Sequence, residues 1–334
     1  MVFSFFQREQ DRDLAPSPLI AGIGEAAVAV PEIPRHRDLI FAAKKILSAE
    51  DALAPEVREK AIRGGTRVLA DQAACPFRAF ARWRLGARSL EAPAERLDAA
   101  GRGKLLHALM SALWGELKES AALQKDFEPA IARAAAAAVK ALALEGRFAE
   151  LERARLARLA REWLEVEGSR KPFQVASIEE KRKIEIAGLE FSGRIDRMDR
   201  TAEGGNVLID YKTGRASPKE WEPPRPDDPQ LPIYAVSAKE EITGVAFASL
   251  KPGKLRYMGF SRDKNALPGV QQAKDWKAVL RGWKKETEAL GAAFAKGDAR
   301  VDPKKSLQTC RYCDLQTLCR VFEKANALEE DVPE

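Results

Sequence analysis

Two neighbouring stretches of alternating polar and apolar residues constrain the fold of this chain more than any other feature. They run over residues 191–199 and 207–212, with a glycine-containing turn between them. Alternation with period two is typical of β-strands, so the pattern predicts two adjacent strands. Asp210 and Lys212 then lie on one face of the second strand, and Asp196 extends from the strand beside it. The fold must therefore bring two carboxylates and one ammonium group together.

This group of side chains suits a divalent metal ion. Carboxylate oxygens are hard ligands for Mg²⁺ or Mn²⁺, and a lysine beside the ion orients or deprotonates water, which is what metal-assisted phosphodiester cleavage requires. The backbone carbonyl of Tyr211 is a further candidate ligand, and Glu179 and Glu180 are weaker candidates for the pocket wall. The alternative is a solvated hairpin on which Asp210 and Lys212 form a surface ion pair.

Three other polar residues strengthen the metal interpretation. His107 lies in a leucine-rich segment, residues 103–117, that is predicted to be a helix, and neutral imidazole is a suitable ligand for Mn²⁺. Gln230 and Tyr234 are one helical turn apart and share a face. The alternative is that His107 is an ordinary core or surface histidine and that Gln230 and Tyr234 serve in packing.

The cysteines form a second candidate metal site. The chain has four: Cys75, Cys310, Cys313 and Cys319. The last three have the spacing C-x2-C-x5-C, and in a reducing compartment such clustering favours metal binding over disulfides. The spacing alone leaves an iron–sulfur cluster and structural Zn²⁺ equally open, and incidental cysteines are the third alternative. If all four are ligands, the site joins residue 75 to residue 310 across the fold.

Composition excludes few classes of protein. The 334 residues carry a net charge of +6, which gives weak support for a polyanionic partner. There is no apolar run of the roughly 18 residues that a membrane span needs, and the first residues do not resemble a signal peptide, so we expect a cytoplasmic protein.

Basic residues supply candidate contacts to nucleic acid. They are Arg78, Arg82 and Arg84, in a segment that also contains aromatic residues, and Arg194 and Arg197, which flank Asp196. For the first three, the alternative is a packed amphipathic helix with its arginines in solvent.

The chain is predicted to consist of an N-terminal tail or linker with short helices, residues 1–63, and one domain, residues 64–334. Predicted helices cover residues 103–117, 128–145, 148–167 and 270–296, and predicted strands cover 174–187, 189–198, 205–212, 243–250 and 254–260. Helices on both sides of a block of strands indicate an α/β sheet core with a helical insertion.

Together, the motifs resemble the RecB/AddB-type branch of the PD-(D/E)XK nuclease superfamily, in particular the C-terminal nuclease region of AddB-like DNA repair proteins. The matching pieces are Ala74-Cys75-Pro-Phe-Arg-Ala-Phe80, Gly103-Lys-Leu-Leu-His107, Gly193-Arg-Ile-Asp196-Arg, Asp210-Tyr-Lys212-Thr-Gly, Gln230-Leu-Pro-Ile-Tyr234 and the cysteine triplet. They cover about residues 64–322 in the order of the family.

The resemblance implies a restriction-endonuclease-like mixed β-sheet flanked by helices and closed by a C-terminal cysteine-cluster segment. It implies a metal-dependent DNA exonuclease of double-strand break repair and recombination, associated with the nucleoid. His107, Asp196 and Asp210 would bind the ion, Lys212 would be the catalytic lysine, and Gln230 and Tyr234 would shape the site near DNA. The four cysteines would hold a structural [4Fe–4S] cluster.

The chain departs from this family in one respect. It contains no G-x-x-x-x-G-K-[ST] phosphate-binding loop, so ATP-driven unwinding is not assigned to it. We expect DNA ends or single strands as substrate and a helicase subunit as partner. The alternative function is a non-catalytic DNA-end-binding or scaffold module with a structural cluster.

Overall fold

The computed structural model describes residues 3, 5, 7–23, 35–43, 52–90 and 97–321. It divides the chain into two compact units, residues 1–50 and 51–334. In its described part, the smaller unit contains a pair of antiparallel strands, β1 (Arg8–Glu9) and β2 (Arg12–Asp13), and one helix, α1 (His36–Ala42).

Residues 52–63, which we predicted as the end of the N-terminal tail, fall within the larger unit. The backbone N–H groups of Ala54 and Val57 donate to the carbonyl oxygens of Gly297 and Ala295. We predicted short helices in the N-terminal tail, and α1 is one of them. Residues 44–51 and the C-terminal residues 322–334 lie outside the described residues.

The larger unit is built on a mixed sheet, with seven strands in the described residues. They are β3 (Ala61–Ile62), β4 (Phe173–Ile186), β5 (Leu189–Thr201), β6 (Asn206–Lys212), β7 (Ile242–Ser249), β8 (Arg256–Ser261) and β9 (Gln271–Gln272). The order is β3-β5-β6-β7-β8-β9, with β4 on the other edge of β5. The pairs β4–β5, β5–β6 and β7–β8 are antiparallel, and β6 runs parallel to β7.

The turn between β4 and β5 consists of Ala187 and Gly188, which have φ angles of 51° and 78°. Two consecutive positive φ values in a two-residue loop are typical of the type I′ turn, whose twist matches that of the strands it joins. The turn that we predicted at Gly188 is confirmed, and it sets the register that pairs Ile186 with Leu189.

Helices cover both faces of the sheet. The helices of the larger unit, in its described part, are α2 (Arg67–Ala74), α3 (Pro76–Trp83), α4 (Ala99–Leu117), α5 (Glu128–Ala141), α6 (Gly146–Gly168), α7 (Gln230–Ser237), α8 (Trp276–Ala295), α9 (Ser306–Cys310) and α10 (Gln316–Cys319). In the described part of the chain, none of them is both long and apolar enough to cross a membrane.

The apolar core has two parts, one on each face of the sheet. Helices α4, α5 and α6 pack on the face that includes Val207, Ile209 and Tyr211, and α2, α7 and α8 pack on the face that includes Leu208 and Phe247. Alternation along β6 therefore directs its even-numbered residues toward α7. The predicted mixed sheet flanked by helices is confirmed, and α4 to α6 form the helical layer before it in the chain.

Candidate active site

The site lies where β5 and β6 diverge. Their last paired residues are Arg197 and Ile209. Beyond that pair, the backbone N–H of Tyr211 donates to Oδ2 of Asp196 at 3.0 Å. The side-chain carboxylate of Asp196 thus takes the place of the backbone carbonyl that would accept this hydrogen bond in a regular sheet. The end of the ladder thus aims the Asp196 carboxylate toward β6.

Asp210 and Lys212 share the face of β6 directed toward α7. The Lys212 Nζ lies 2.9 Å from Asp210 Oδ2. Asp210 is buried, with 3% of its surface exposed. The alternative of a solvated surface pair is therefore excluded for this carboxylate.

His107 reaches the same point from α4. Its Nδ1 lies 3.3 Å from Asp196 Oδ2 and 3.8 Å from Glu179 Oε1. One ligand atom each from His107, Glu179 and Asp196 lie within 4.8 Å of one another, which is close enough to share one metal ion.

Glu179 has a stronger position than its sequence indicated. Its neighbours Ile178 and Glu180 pair with Arg197 and Ile195, so Glu179 stands opposite Asp196 in the hairpin. Its φ angle of 48° is uncommon for a residue within a strand. The sequence could have predicted this position, because residues that are equally far from the Gly188 turn on the two strands stand opposite each other. Glu180, the other weak candidate, pairs instead with Arg182 at 3.1 Å.

The electrostatics of the group indicate excess negative charge. Burial and the neighbouring Asp196 carboxylate raise the pKa of Asp210 to about 7. Burial alone would lower the pKa of His107, but hydrogen bonds to Asp196 and Glu179 outweigh it and raise that pKa to about 10. A divalent cation among these groups would relieve the repulsion, and one imidazole with several carboxylates fits Mg²⁺ or Mn²⁺.

Helix α7 contributes the two residues predicted to share a face. The side-chain amide of Gln230 donates to Asp210 Oδ1 at 3.0 Å. The hydroxyl of Tyr234 accepts the backbone N–H of Arg194, in β5, at 2.9 Å. The approach of this ring to β5 requires Gly193, because a Cβ there would lie 2.5 Å from Tyr234 Cε1.

Sequence reasoning missed Asp228, which precedes α7. Its Oδ2 lies 3.1 Å from the Lys212 Nζ, so the ammonium group stands between two carboxylates. The signal in the sequence that could have identified Asp228 is its position two residues before Gln230. Burial by itself lowers the pKa of Lys212, but Asp210 and Asp228 raise it well above its ordinary value.

One predicted DNA contact is wrong. Arg197 is completely buried, and its guanidinium group binds Asp199 and Glu167. The period-two alternation that places Asp196 in the site turns its neighbour toward the α6 face, where DNA has no access. The side chain of Tyr211 points the same way, and its hydroxyl bonds to Arg197 at 3.1 Å.

The other arginines are half-buried or exposed, and their contact with DNA stays a prediction. Arg78 and Arg82 both pair with Asp71, at 2.6 and 3.1 Å, and Arg82 also binds Asp314. Arg194 is more exposed and pairs with Glu179, and the guanidinium of Arg84 lies over the ring of Phe80.

The four cysteines are free thiols that the fold brings to one region. Cys75 separates α2 from α3, because Pro76 begins a new helix. Burial raises the pKa of Cys310, and interactions with Cys75, Cys313 and Cys319 raise it further. The N–H of Lys304 donates to the carbonyl of Ala74 at 2.9 Å, so the C-terminal segment is attached beside Cys75.

A family model that describes the PD-(D/E)XK nuclease superfamily matches residues 68–320 of the chain. Among solved structures, the crystal structure of SSO0001 aligns with 76% of this chain and 94% of its own, at 14% identity and a TM-score of 0.26. No curated protein matches the chain.

Proposed function

The chain belongs to the PD-(D/E)XK nuclease superfamily, whose members use divalent metal ions such as Mg²⁺, and we propose that it is a deoxyribonuclease of the RecB/AddB type. One observation carries the proposal. His107, Glu179 and Asp196 converge within 4.8 Å, beside the buried Asp210 and its partner Lys212. A hairpin, a helix and a neighbouring strand supply these groups from distant parts of the sequence.

In the proposed reaction, His107, Asp196 and Asp210 would hold Mg²⁺ or Mn²⁺, and Glu179 and the carbonyl of Tyr211 would be further ligands. When bound, the ion lowers the pKa of water and offsets negative charge on the scissile phosphate.

The remaining side chains position the reacting groups. The ammonium of Lys212 orients the attacking water and stabilises charge that develops on the phosphate. Gln230 holds one oxygen of Asp210 at 3.0 Å and thereby orients that carboxylate. Tyr234 binds the backbone of β5 at Arg194, two residues before Asp196, and this hydrogen bond fixes the distance between β5 and α7.

We also propose that the four cysteines hold a [4Fe–4S] cluster. Cys310 interacts with each of the other three thiols, Cys75, Cys313 and Cys319. Four thiolates suit either a [4Fe–4S] cluster or Zn²⁺. The resemblance of the motifs to the RecB/AddB type supports the four-iron cluster over a single zinc ion.

The proposed substrate is DNA, digested as an exonuclease from ends or single strands during double-strand break repair. The net charge of +6 supports a polyanionic substrate, since phosphate contacts dominate affinity for nucleic acid. We propose that a helicase subunit delivers the DNA, and that the protein acts in the cytoplasm at the nucleoid.

The test uses anaerobically purified protein and end-labelled single- and double-stranded DNA, with Mg²⁺ or Mn²⁺. We expect metal-dependent shortening from one labelled end, its loss in Asp210→Ala and Lys212→Ala, and iron and sulfide in the purified chain. A matched control is Lys171→Ala, which removes an exposed lysine paired with Glu203 at 2.6 Å, and which should leave digestion unchanged. DNA binding that survives chelation, without cleavage in Mn²⁺, would instead indicate the non-catalytic module.

A further inference from the structure

We infer that Asp228 is a positioning residue that holds Lys212 in place for cleavage, an inference that rests on the proposed function. The Lys212 Nζ lies 2.9 Å from Asp210 Oδ2 and 3.1 Å from Asp228 Oδ2. The two carboxylates come from different elements, since Asp210 belongs to β6 and Asp228 to the loop before α7.

The loop holds Asp228 independently of the lysine. Its N–H donates to the carbonyl of Glu220 at 3.1 Å. Its Oδ1 accepts the backbone N–H of Gln230 at 3.2 Å, at the start of α7. The adjoining 3₁₀ turn (Pro218–Trp221) is anchored by Trp221, which is fully buried. One oxygen of Asp228 is therefore bound to the loop, and the other is free to receive the ammonium group.

The two carboxylate partners of Lys212 differ in the other groups that they bind. Asp210 already binds Gln230 through Oδ1, and in the proposed function it also shares its oxygens with a divalent cation. The cation and the ammonium group of Lys212 then compete for the same carboxylate. Asp228 is the partner that remains dedicated to Lys212. Because a lysine side chain has a flexible four-carbon stem, loss of this partner lets the ammonium leave the reacting phosphate for solvent.

The adjacent Asp227 provides a matched comparison. It has the same charge and lies in the same loop, but its carboxylate binds Lys304 at 2.9 Å and Lys305 at 2.7 Å. Asp227→Asn and Asp228→Asn therefore remove equal charge from neighbouring positions with different partners. Asparagine at 228 keeps an oxygen that can accept the Gln230 N–H, so the loop should retain its structure.

The experiment measures kcat and KM on end-labelled DNA, Mn²⁺ affinity by electron paramagnetic resonance, and Tm, all on the full chain. We expect Asp228→Asn to lower kcat by about 10- to 100-fold, as small misplacements of reacting groups do. KM, Mn²⁺ affinity and Tm should match the wild type. Asp227→Asn should retain the kcat of the wild type.

Two further measurements show whether Asp228 acts through Lys212. In a Lys212→Met background, under single-turnover conditions, Asp228→Asn should cause no additional loss of rate. A carbodiimide, which joins paired carboxylates and amines through an amide bond, should link Asp228 to Lys212 in the wild type, as read by peptide mass spectrometry.

Each contrary result has a distinct meaning. Equal kcat in Asp228→Asn and Asp227→Asn, with a much lower rate in Lys212→Met, would overturn this inference and leave the proposed function standing. Loss of Mn²⁺ affinity or Tm in parallel with kcat would also overturn it, because Asp228 would then be a ligand or a structural residue. A wild type that shows no metal-dependent cleavage would overturn the inference together with the proposed function.

Discussion

Replacing Arg197 with methionine would test the buried ionic network beneath the candidate active site. Arg197 binds Asp199 through two hydrogen bonds of 2.6 and 2.7 Å and Glu167 through one of 2.7 Å. Arg170, also buried, binds the same two carboxylates at 2.9 and 2.6 Å. Two positive and two negative charges thus balance in a region without water access, where β5 meets α6.

The substitution removes one positive charge and leaves a net negative charge in the core. Breaking a buried ion pair by removal of one partner typically costs about 3–5 kcal/mol. Since Arg170 still contacts both carboxylates, and methionine keeps apolar contact with the Trp114 ring on which the guanidinium stacks at 3.8 Å, we expect the lower part of this range, about 3 kcal/mol. At roughly 2 °C per kcal/mol for a unit of this size, Tm should fall by about 6 °C.

Urea unfolding followed by tryptophan fluorescence and circular dichroism measures the change. Arg161→Met is the matched control, because Arg161 also forms a bidentate pair, with Glu128 at 2.6 and 2.7 Å, but on the exposed surface. The surface variant should change stability far less. If the two variants shifted the urea midpoint equally, burial would not be the source of the effect and the reasoning would be refuted.

Three further predictions concern the hairpin and its surroundings. Gly193→Ala should destabilise the protein by about 1–3 kcal/mol in urea, because its Cβ would overlap the ring of Tyr234, whereas Gly115→Ala, with open space around its Cβ, should be neutral or stabilising. Burial alone raises the pKa of Glu167, but the adjacent guanidinium groups outweigh it and lower the pKa, so its stabilising effect is complete above pH 4.5 and is lost as pH falls through the lowered value. A urea midpoint that falls equally with acid in wild type and Glu167→Gln would contradict this. Glu179→Gln should weaken Mn²⁺ binding by about 10-fold, measured by paramagnetic resonance, and unchanged affinity would exclude Glu179 as a ligand.

Local patterns were sufficient to predict most of the secondary structure. The turn at Gly188 and the alternation along β5 and β6 depend on neighbouring residues, and both appear in the structure as expected. The same alternation correctly placed Asp210 and Lys212 on one face of β6. Such features are predictable because backbone conformation and side-chain direction repeat with a short period.

The sequence was less informative about which groups meet. Glu179 faces Asp196 through the register of the hairpin, and Asp228 reaches Lys212 from a loop beyond the end of β6. Arg197 reads as a surface residue from its chemistry alone, yet the fold supplies a buried carboxylate from α6, at Glu167. Periodicity indicates the direction of a side chain, but it does not identify the element that covers it.

By itself, the sequence determined the strands that carry Asp196, Asp210 and Lys212, and the cysteine spacing, because these depend on residue type and short-range order. The tertiary structure alone decided that Asp210 is buried, that its pKa rises to about 7, and that Lys212 lies between two carboxylates. These properties depend on water exclusion and on charges brought together from distant segments. Dielectric environment and distance, which set the chemistry of a site, are properties of the packed chain.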